Sequence, residues 1–276
     1  MRLPRLVIAL AVCALLGGCG LSPATHQPAR APSVPAPAFS PPASKPTAPV
    51  GEWQTIRPGL EYRELDITVD QRPDRLRLAR ADPQQLRFRV VYNPAQPRQV
   101  SAWLESEGAL LAVNGGYFDP DNRALGLLIH EGIVSGHPYQ GFGGMLAING
   151  ERVRVRWNVA EPYVPGEPLT SAVQNFPMLV LPGGAPNTGI DDNGQLAPRT
   201  AVGQDRQRRI VFVVSPGSVF TLTGLGQWLA ASDLNLDTAL NLDGGSSSGL
   251  LLRDGLQQRG FDSWAEVPNV VVVYAR

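Results

Sequence analysis

Three short segments hold residue types suited to chemistry on a charged, hydroxylated ligand. Asn114-Gly115-Gly116-Tyr117-Phe118 and Asn241-Leu242-Asp243-Gly244-Gly245-Ser246-Ser247 share a format, in which an apolar run ends in Asn or Asp and then a Gly pair. Glycine lets the backbone take positive φ or approach a ligand closely, and successive N–H groups can form an anion-binding nest. Asn241 and Asp243 are two apart, so on a strand their side chains face one side. The third segment, Pro198-Arg199-Thr200-Ala201-Val202-Gly203, opens an apolar strand with a guanidinium fork that suits phosphate and a hydroxyl beside it. Taken singly, each has a plainer reading. Asn-Gly and Asp-Gly are hairpin-turn signals, and Arg199 is one arginine among 23.

Several chemistries are excluded by what the chain lacks. Of its 24 basic residues one is a lysine, Lys45, in a Pro-rich stretch. No phosphate-binding G-x-x-x-x-G-K-[ST] loop and no Schiff-base lysine can be built. Gly245-Ser246-Ser247-Ser248-Gly249 matches G-x-S-x-G literally, but a strand pattern follows it and no His occurs after His137, so a nucleophile elbow is rejected. His26, His130 and His137 have no zinc-ligand spacing, and the only cysteines are Cys13 and Cys19. Asp119-Pro120-Asp121-Asn122 hints at a hard-cation loop for an ion such as Ca²⁺. It lacks the glycine and glutamate positions of an EF-hand, so no metal or other cofactor is assigned. The charge balance, 24 basic against 24 acidic, argues against nucleic acid.

The elements that must position these segments are mostly strands. Leu76–Arg80, Leu86–Val90 and Arg152–Arg156 alternate apolar with Arg, which predicts half-buried strands with a solvated Arg face. Ala109–Val113, Ile210–Val214, Ala239–Leu242 and Val270–Tyr274 read as buried strands by composition. Helices are predicted over Val100–Glu107 and from Thr223 to Ser232, the latter capped by Thr221 or Thr223. Gly224-Leu225-Gly226 opens that helix and is only half of a dinucleotide fingerprint. The expected fold is α+β: a single sheet-rich domain of mixed strands with two or three short helices.

Arg2 and Arg5 followed by the apolar run Leu6–Leu16 form a leader too short to span a bilayer. An ordinary secretory signal is one reading. The other, which we favour, is that Leu16-Gly17-Gly18-Cys19 resembles a bacterial lipobox. That resemblance implies a signal peptide over 1–18 and lipidation of Cys19. With Gly20 rather than Asp next, it also implies sorting to the outer membrane, facing the periplasm. Residues 22–50 hold nine prolines, so 19–50 reads as an extended tether of polyproline character. The domain then spans 51–276. Four basic residues and no acidic ones precede position 51, so the domain itself carries 20 basic and 24 acidic side chains. Any phosphate must then be held by local placement of Arg and backbone N–H, because the global field opposes it.

In their order, Asn-Gly-Gly-Tyr-Phe (114–118), Arg-Thr-Ala-Val-Gly (199–203) and, after a Gly-opened helix, Asn-Leu-Asp-Gly-Gly-Ser-Ser (241–247) resemble the phosphodiester glycosidase family. The resemblance spans roughly residues 55–275. Many relatives have a third Gly where this chain has Ser246. The resemblance implies hydrolysis of a sugar-1-phosphodiester on glycan or glycolipid substrates. It also implies motif positions at Asn114, Gly115, Gly116, Arg199, Thr200, Asn241, Asp243, Gly244 and Gly245.

Role assignment follows from that implied chemistry. Glycosyl transfer passes through an oxocarbenium-like state and employs carboxylates. Asp243 is the expected essential carboxylate, and Arg199 the phosphate grip, aided by Thr200 and by the amides of Gly115-Gly116 or Gly244-Gly245. Asn114 and Asn241 are expected to hold sugar hydroxyls or phosphate oxygens, and Tyr117 and Ser246 to line the site. A second carboxylate would come from Asp119, Glu131 or Asp205, each of which also reads as a turn or surface residue. Two alternatives remain: a non-catalytic glycan- or phosphoglycan-binding module of the same fold, and a hydrolase or transferase acting on another envelope phosphodiester.

Overall fold

The computed structural model describes residues 51–276. The leader, Cys19 and the Pro-rich tether lie outside the described residues. In chain order the elements begin β1 Gln54–Arg57, β2 Leu60–Val69, β3 Arg72–Ala81, β4 Leu86–Tyr92, α1 Val100–Ser106 and β5 Leu111–Asn114. There follow β6 Leu128–His130, β7 Ile133–Ser135, β8 Gly144–Asn149, β9 Arg152–Trp157, β10 Ser171–Asn175, β11 Met178–Leu181 and β12 Ala185–Pro186. The last are β13 Ala197–Asp205, β14 Ile210–Phe220, α2 Leu222–Ala231, β15 Leu236–Asn241, β16 Leu250–Asp254, β17 Gln257–Phe261 and β18 Asn269–Ala275.

The strands form three sheets. One has eight strands in the order β1-β2-β3-β14-β13-β15-β11-β12, and two have five, β7-β6-β10-β8-β9 and β17-β16-β5-β18-β4. The fold is mostly β, with two helices serving three sheets. One correction follows. The strands are not mixed: each pairing among the described residues is antiparallel, from β1–β2 through β13–β15 to β18–β5. Short connections favour that geometry, because a parallel pair needs a crossover of a dozen or more residues.

The continuous apolar runs are explained by burial on both faces. In β14, Ile210, Phe212 and Val214 enter a central core shared by all three sheets, with Tyr62, Phe88, Leu111, Leu146, Val173 and Leu240 among its members. The intervening Val211 and Val213 pack outward with Leu225 and Leu229 of α2. In β18, Val271 and Val273 face the central core, while Val270 and Val272 pack with Val100, Trp103 and Leu104 of α1. Helix α2 starts where the sequence suggests, with the Thr221 hydroxyl accepting from the Gly224 N–H at 3.0 Å.

The Arg rows are less solvated than expected. The side chains of Arg77, Arg80 and Arg156 are only 18%, 15% and 11% exposed, and they face Glu64, Glu61 and Glu167. Arg80 also lies 4.2 Å from the Trp53 ring centre. Arg152 and Arg154 on the edge strand β9 do remain exposed, where charge protects an open edge. No helix among the described residues is long and apolar enough to cross a membrane.

Candidate active site

The three motif segments converge where the sheets meet. Asn114 ends β5, Arg199 and Thr200 begin the buried part of β13, and Asn241 ends β15. A fourth segment, at the end of β10, adds Gln174, Asn175 and Phe176 from the remaining sheet.

Asn114 joins the motifs. Its Nδ2 donates to the Asp243 carbonyl at 2.7 Å, and its Oδ1 accepts from Thr200 Oγ1 at 2.9 Å and from the Gly249 N–H at 3.1 Å. Both Asn114 and Thr200 are fully buried. Their polar atoms are spent on one another and on the Asp243 loop.

The Gly115-Gly116 amides are also occupied. Gly115 N donates to Asn269 O at 3.1 Å and Gly116 N to Asn269 Oδ1 at 2.7 Å, while Asn269 Nδ2 returns a bond to Gly116 O at 3.1 Å. These glycines form no anion nest and no hairpin turn. They are required for close approach, since a Cβ on Gly115 would sit 1.9 Å from Asn269 Oδ1 and one on Gly116 2.7 Å from Val173 Cγ2. Asn269 was not legible beforehand, because Pro268-Asn269 precedes a plain valine run.

Asn241 is 2% exposed. Its Nδ2 donates to Tyr117 Oη at 2.8 Å and to Phe176 O at 3.1 Å, its backbone carbonyl accepts from Asn175 Nδ2 at 2.8 Å, and its Oδ1 has no partner within the described chain. Tyr117 in turn donates to Phe176 O at 3.1 Å. Burial first, and the Asp243 carboxylate next, push the Tyr117 phenol up to about 12, while the Arg199 charge opposes them. Tyr117 thus lies within the fields of both groups.

Asp243 and Arg199 are the two charged motif residues of the site, and both act on Tyr117. The pairing of Ala201 with Asn241 is continued by a bond from Leu242 N to Thr200 O at 2.9 Å, and this register places Arg199 across from Asp243. Gly244 lies tightly against this strand, where a Cβ would meet Pro198 O at 2.9 Å. Asp243 Oδ1 accepts from the Gly244 N–H at 2.9 Å. Burial raises the Asp243 carboxyl above its ordinary value, opposed by hydrogen bonding from Ser247 and Gly244. Arg199 gives Nε to Phe220 O at 3.2 Å and Nη2 to Gln195 O at 2.6 Å, which fixes the plane of the fork and leaves Nη1 unspent. Burial lowers its pKa from the ordinary value.

Gly245 takes φ +61° with open space at its Cβ position and begins a single 3-10 turn, Gly245–Ser247. Ser246 is exposed, and its carbonyl accepts from the N–H groups of Trp264 and Ala265, both at 2.9 Å. Ser247, which the sequence offered only as the end of a motif, contributes directly to Asp243.

The candidate second carboxylates all have structural employment. Asp119 Oδ1 caps a turn through the N–H groups of Asp121 and Arg123. Glu131 pairs with Arg89. Asp205 holds Gln207 N and Arg209 N and bridges to Arg209 Nε. His130 Nδ1 lies 2.8 Å from Val90 O, and His137 is exposed. Among the described residues no group of three or more His, Cys, Asp or Glu side chains is placed to hold a metal ion.

The phosphodiester glycosidase family model matches residues 107–274, a stretch that contains all three motif segments. The chain belongs to that family. Its fold is that of the zebrafish N-acetylglucosamine-1-phosphodiester alpha-N-acetylglucosaminidase catalytic domain, a structure auto-inhibited by its pro-peptide. The two are 20% identical, with TM-score 0.63 over 80% of this chain and 85% of that one. A hypothetical protein from Synechocystis is 16% identical, with TM-score 0.65 over 84% of this chain; the match spans 64% of that protein. No curated protein sequence matches the chain.

Proposed function

We propose that this chain hydrolyses a sugar-1-phosphodiester, releasing the free sugar and a phosphomonoester. The observation that carries the reading is the placement of Arg199 across from Asp243 in a member of the phosphodiester glycosidase family. A glycosyl–phosphate bond breaks with positive charge growing at the anomeric carbon and negative charge on the departing phosphate. Asp243 meets the first as base, nucleophile or cation stabiliser. Arg199 meets the second through its unspent Nη1, supported by the amide groups at Gly245 and Ser246. A phosphate is a fair leaving group, so catalysis here does not depend on a second carboxylate acting as a strong acid. The zebrafish relative's name makes N-acetylglucosamine 1-phosphodiesters the first substrates to try.

We also propose, from the resemblance of Leu16-Gly17-Gly18-Cys19 to a lipobox, that the mature protein is an envelope lipoprotein. It is cleaved before Cys19, anchored to the outer membrane by lipid on that thiol, and raised from the surface by the 19–50 tether into the periplasm. Mass analysis of the mature N-terminal peptide, with and without Cys19→Ser, tests the anchor.

To test the activity, residues 51–276 are supplied with a panel of sugar-1-phosphodiesters and free reducing sugar is measured. Asp243→Asn and Arg199→Ala are each expected to lower turnover by at least about 100-fold, the scale of losing one transition-state contact. Wild-type turnover in both variants would overturn the role assignment. Binding without turnover in the parent protein would favour the non-catalytic glycan-binding module.

A further inference from the structure

Four aromatic rings stand together beside Asp243 and Arg199. Tyr117 and Phe176 have ring centres 5.1 Å apart, Tyr139 and Phe176 5.3 Å, Tyr139 and Phe142 4.9 Å, and Phe142 and Phe176 5.6 Å. Phe142 is 47% exposed and Phe176 39% exposed. They come from three separate stretches: the loop after β5, the loop before β8 and the end of β10.

The backbone that carries Tyr139, Phe142 and Phe176 is fixed by buried amide side chains. Gln174 Oε1 accepts from the Tyr139 N–H at 2.6 Å. The Tyr139 ring rests on Gly126, where a Cβ would come within 2.7 Å of its Cε2. Asn158 Nδ2 donates to Phe142 O at 3.0 Å. Phe176 O accepts from both Asn241 and Tyr117. Gln174, Asn158 and Asn241 are all at most 2% exposed. Fixed apolar rings left facing solvent, with polar side chains committed to fixing them, mark a binding surface rather than a packing accident.

The surroundings choose the occupant. Two phenol hydroxyls border the rings, that of Tyr117 held by Asn241 Nδ2 and Phe176 O. An alkyl chain laid here would desolvate the phenol hydroxyls without pairing them, whereas a hydroxylated ring combines an apolar C–H face with polar groups at its rim. Tyr117 links the platform to Asp243, the group assigned to the sugar's anomeric carbon. We propose that the Tyr117–Tyr139–Phe142–Phe176 cluster is the sugar subsite, stacking the C–H face of the substrate's pyranose ring. This rests on the sugar-phosphodiester reading of the Asp243 site.

The test measures binding apart from turnover. In an Asp243→Asn background, calorimetry follows the methyl and dodecyl esters of N-acetylglucosamine 1-phosphate and of glucose 1-phosphate. Phe142→Leu and Phe176→Leu keep apolar volume but remove the flat ring, and thermal melting confirms folding. The expected result is that at least one sugar binds, and that the double variant weakens its methyl and dodecyl esters equally, by about tenfold or more. Loss confined to the dodecyl esters would give the platform to the aglycone and overturn the proposal. So would unchanged affinity for the methyl esters, or no binding of any ester to the parent protein. Full turnover in Asp243→Asn alongside ring-dependent binding would instead overturn the catalytic assignment and leave the platform standing.

Discussion

The side-chain amide of Asn114 donates to the backbone carbonyl of Asp243 over 2.7 Å, joining two motifs 129 residues apart in sequence. Asn114 therefore positions the loop that carries Asp243 from within the buried interior. Asn114→Ala leaves Thr200 Oγ1, the Gly249 N–H and the Asp243 carbonyl without their partner in a dry interior. The expected loss of stability is on the order of 3 kcal/mol, read from urea denaturation. Turnover in the variant, measured below its melting transition, should fall through kcat while KM stays near its parent value, because the loop that carries Asp243 has lost its guide.

Gly115→Ala should be damaging for steric reasons alone. The new methyl would lie 1.9 Å from Asn269 Oδ1, which already holds the Gly116 N–H. The asparagine must move and release that bond, so a loss of roughly 2–4 kcal/mol is expected. Pairing the change with Asn269→Ala should recover part of the loss, since the clash is then gone. A double-mutant cycle by thermal melting measures this coupling.

Much of this was legible in the sequence, and the parts that were not have physical reasons. The strands over Ile210–Val214 and Val270–Tyr274, and helix α2 with its Thr221 cap, follow from local pattern. Sheet count did not, because a run such as Val270–Val273 is buried on both faces and carries no mark of which sheet it joins. The motif segments were found by type and spacing, but their division of labour was not. A buried Asn that ties loops together and an exposed Asn that binds sugar look the same in a sequence. Asn175, Asn269 and the Phe142–Phe176 rings were missed because they act across strand pairings at long range, with no local pattern to announce them.

Arg199→Lys should not be conservative. The guanidinium meets Phe220 O and Gln195 O with two of its nitrogens, and this fixes the third. An ammonium cannot hold both carbonyls and still present a donor in the same plane. A drop of at least about tenfold in kcat/KM is expected, with the loss greater in the transition state than in binding. Comparing kcat/KM with the inhibition constant of inorganic phosphate separates the two contributions. Equal loss in both would mean that Arg199 only anchors the ground state.

Asp243→Asn should make the protein more stable at neutral pH while removing its activity. Burial raises the carboxyl's pKa in the folded state above its unfolded value, so between those two values the folded protein binds more protons than the unfolded chain. Stability therefore falls as pH rises through that window, and above it the full cost of holding the ionised group is present. Asparagine keeps an oxygen for the Gly244 N–H and carries no charge. The variant should melt about 2–4 °C above the parent at pH 7, and the two should converge near pH 3, below the ordinary carboxylate value of about 3.9. The same shift places the acid limb of kcat/KM above that ordinary value if Asp243 acts as the anion. A variant with no stability gain at pH 7 would show that the Ser247 and Gly244 hydrogen bonds fully offset the burial of the charge, and the acid limb would then lie at the ordinary position.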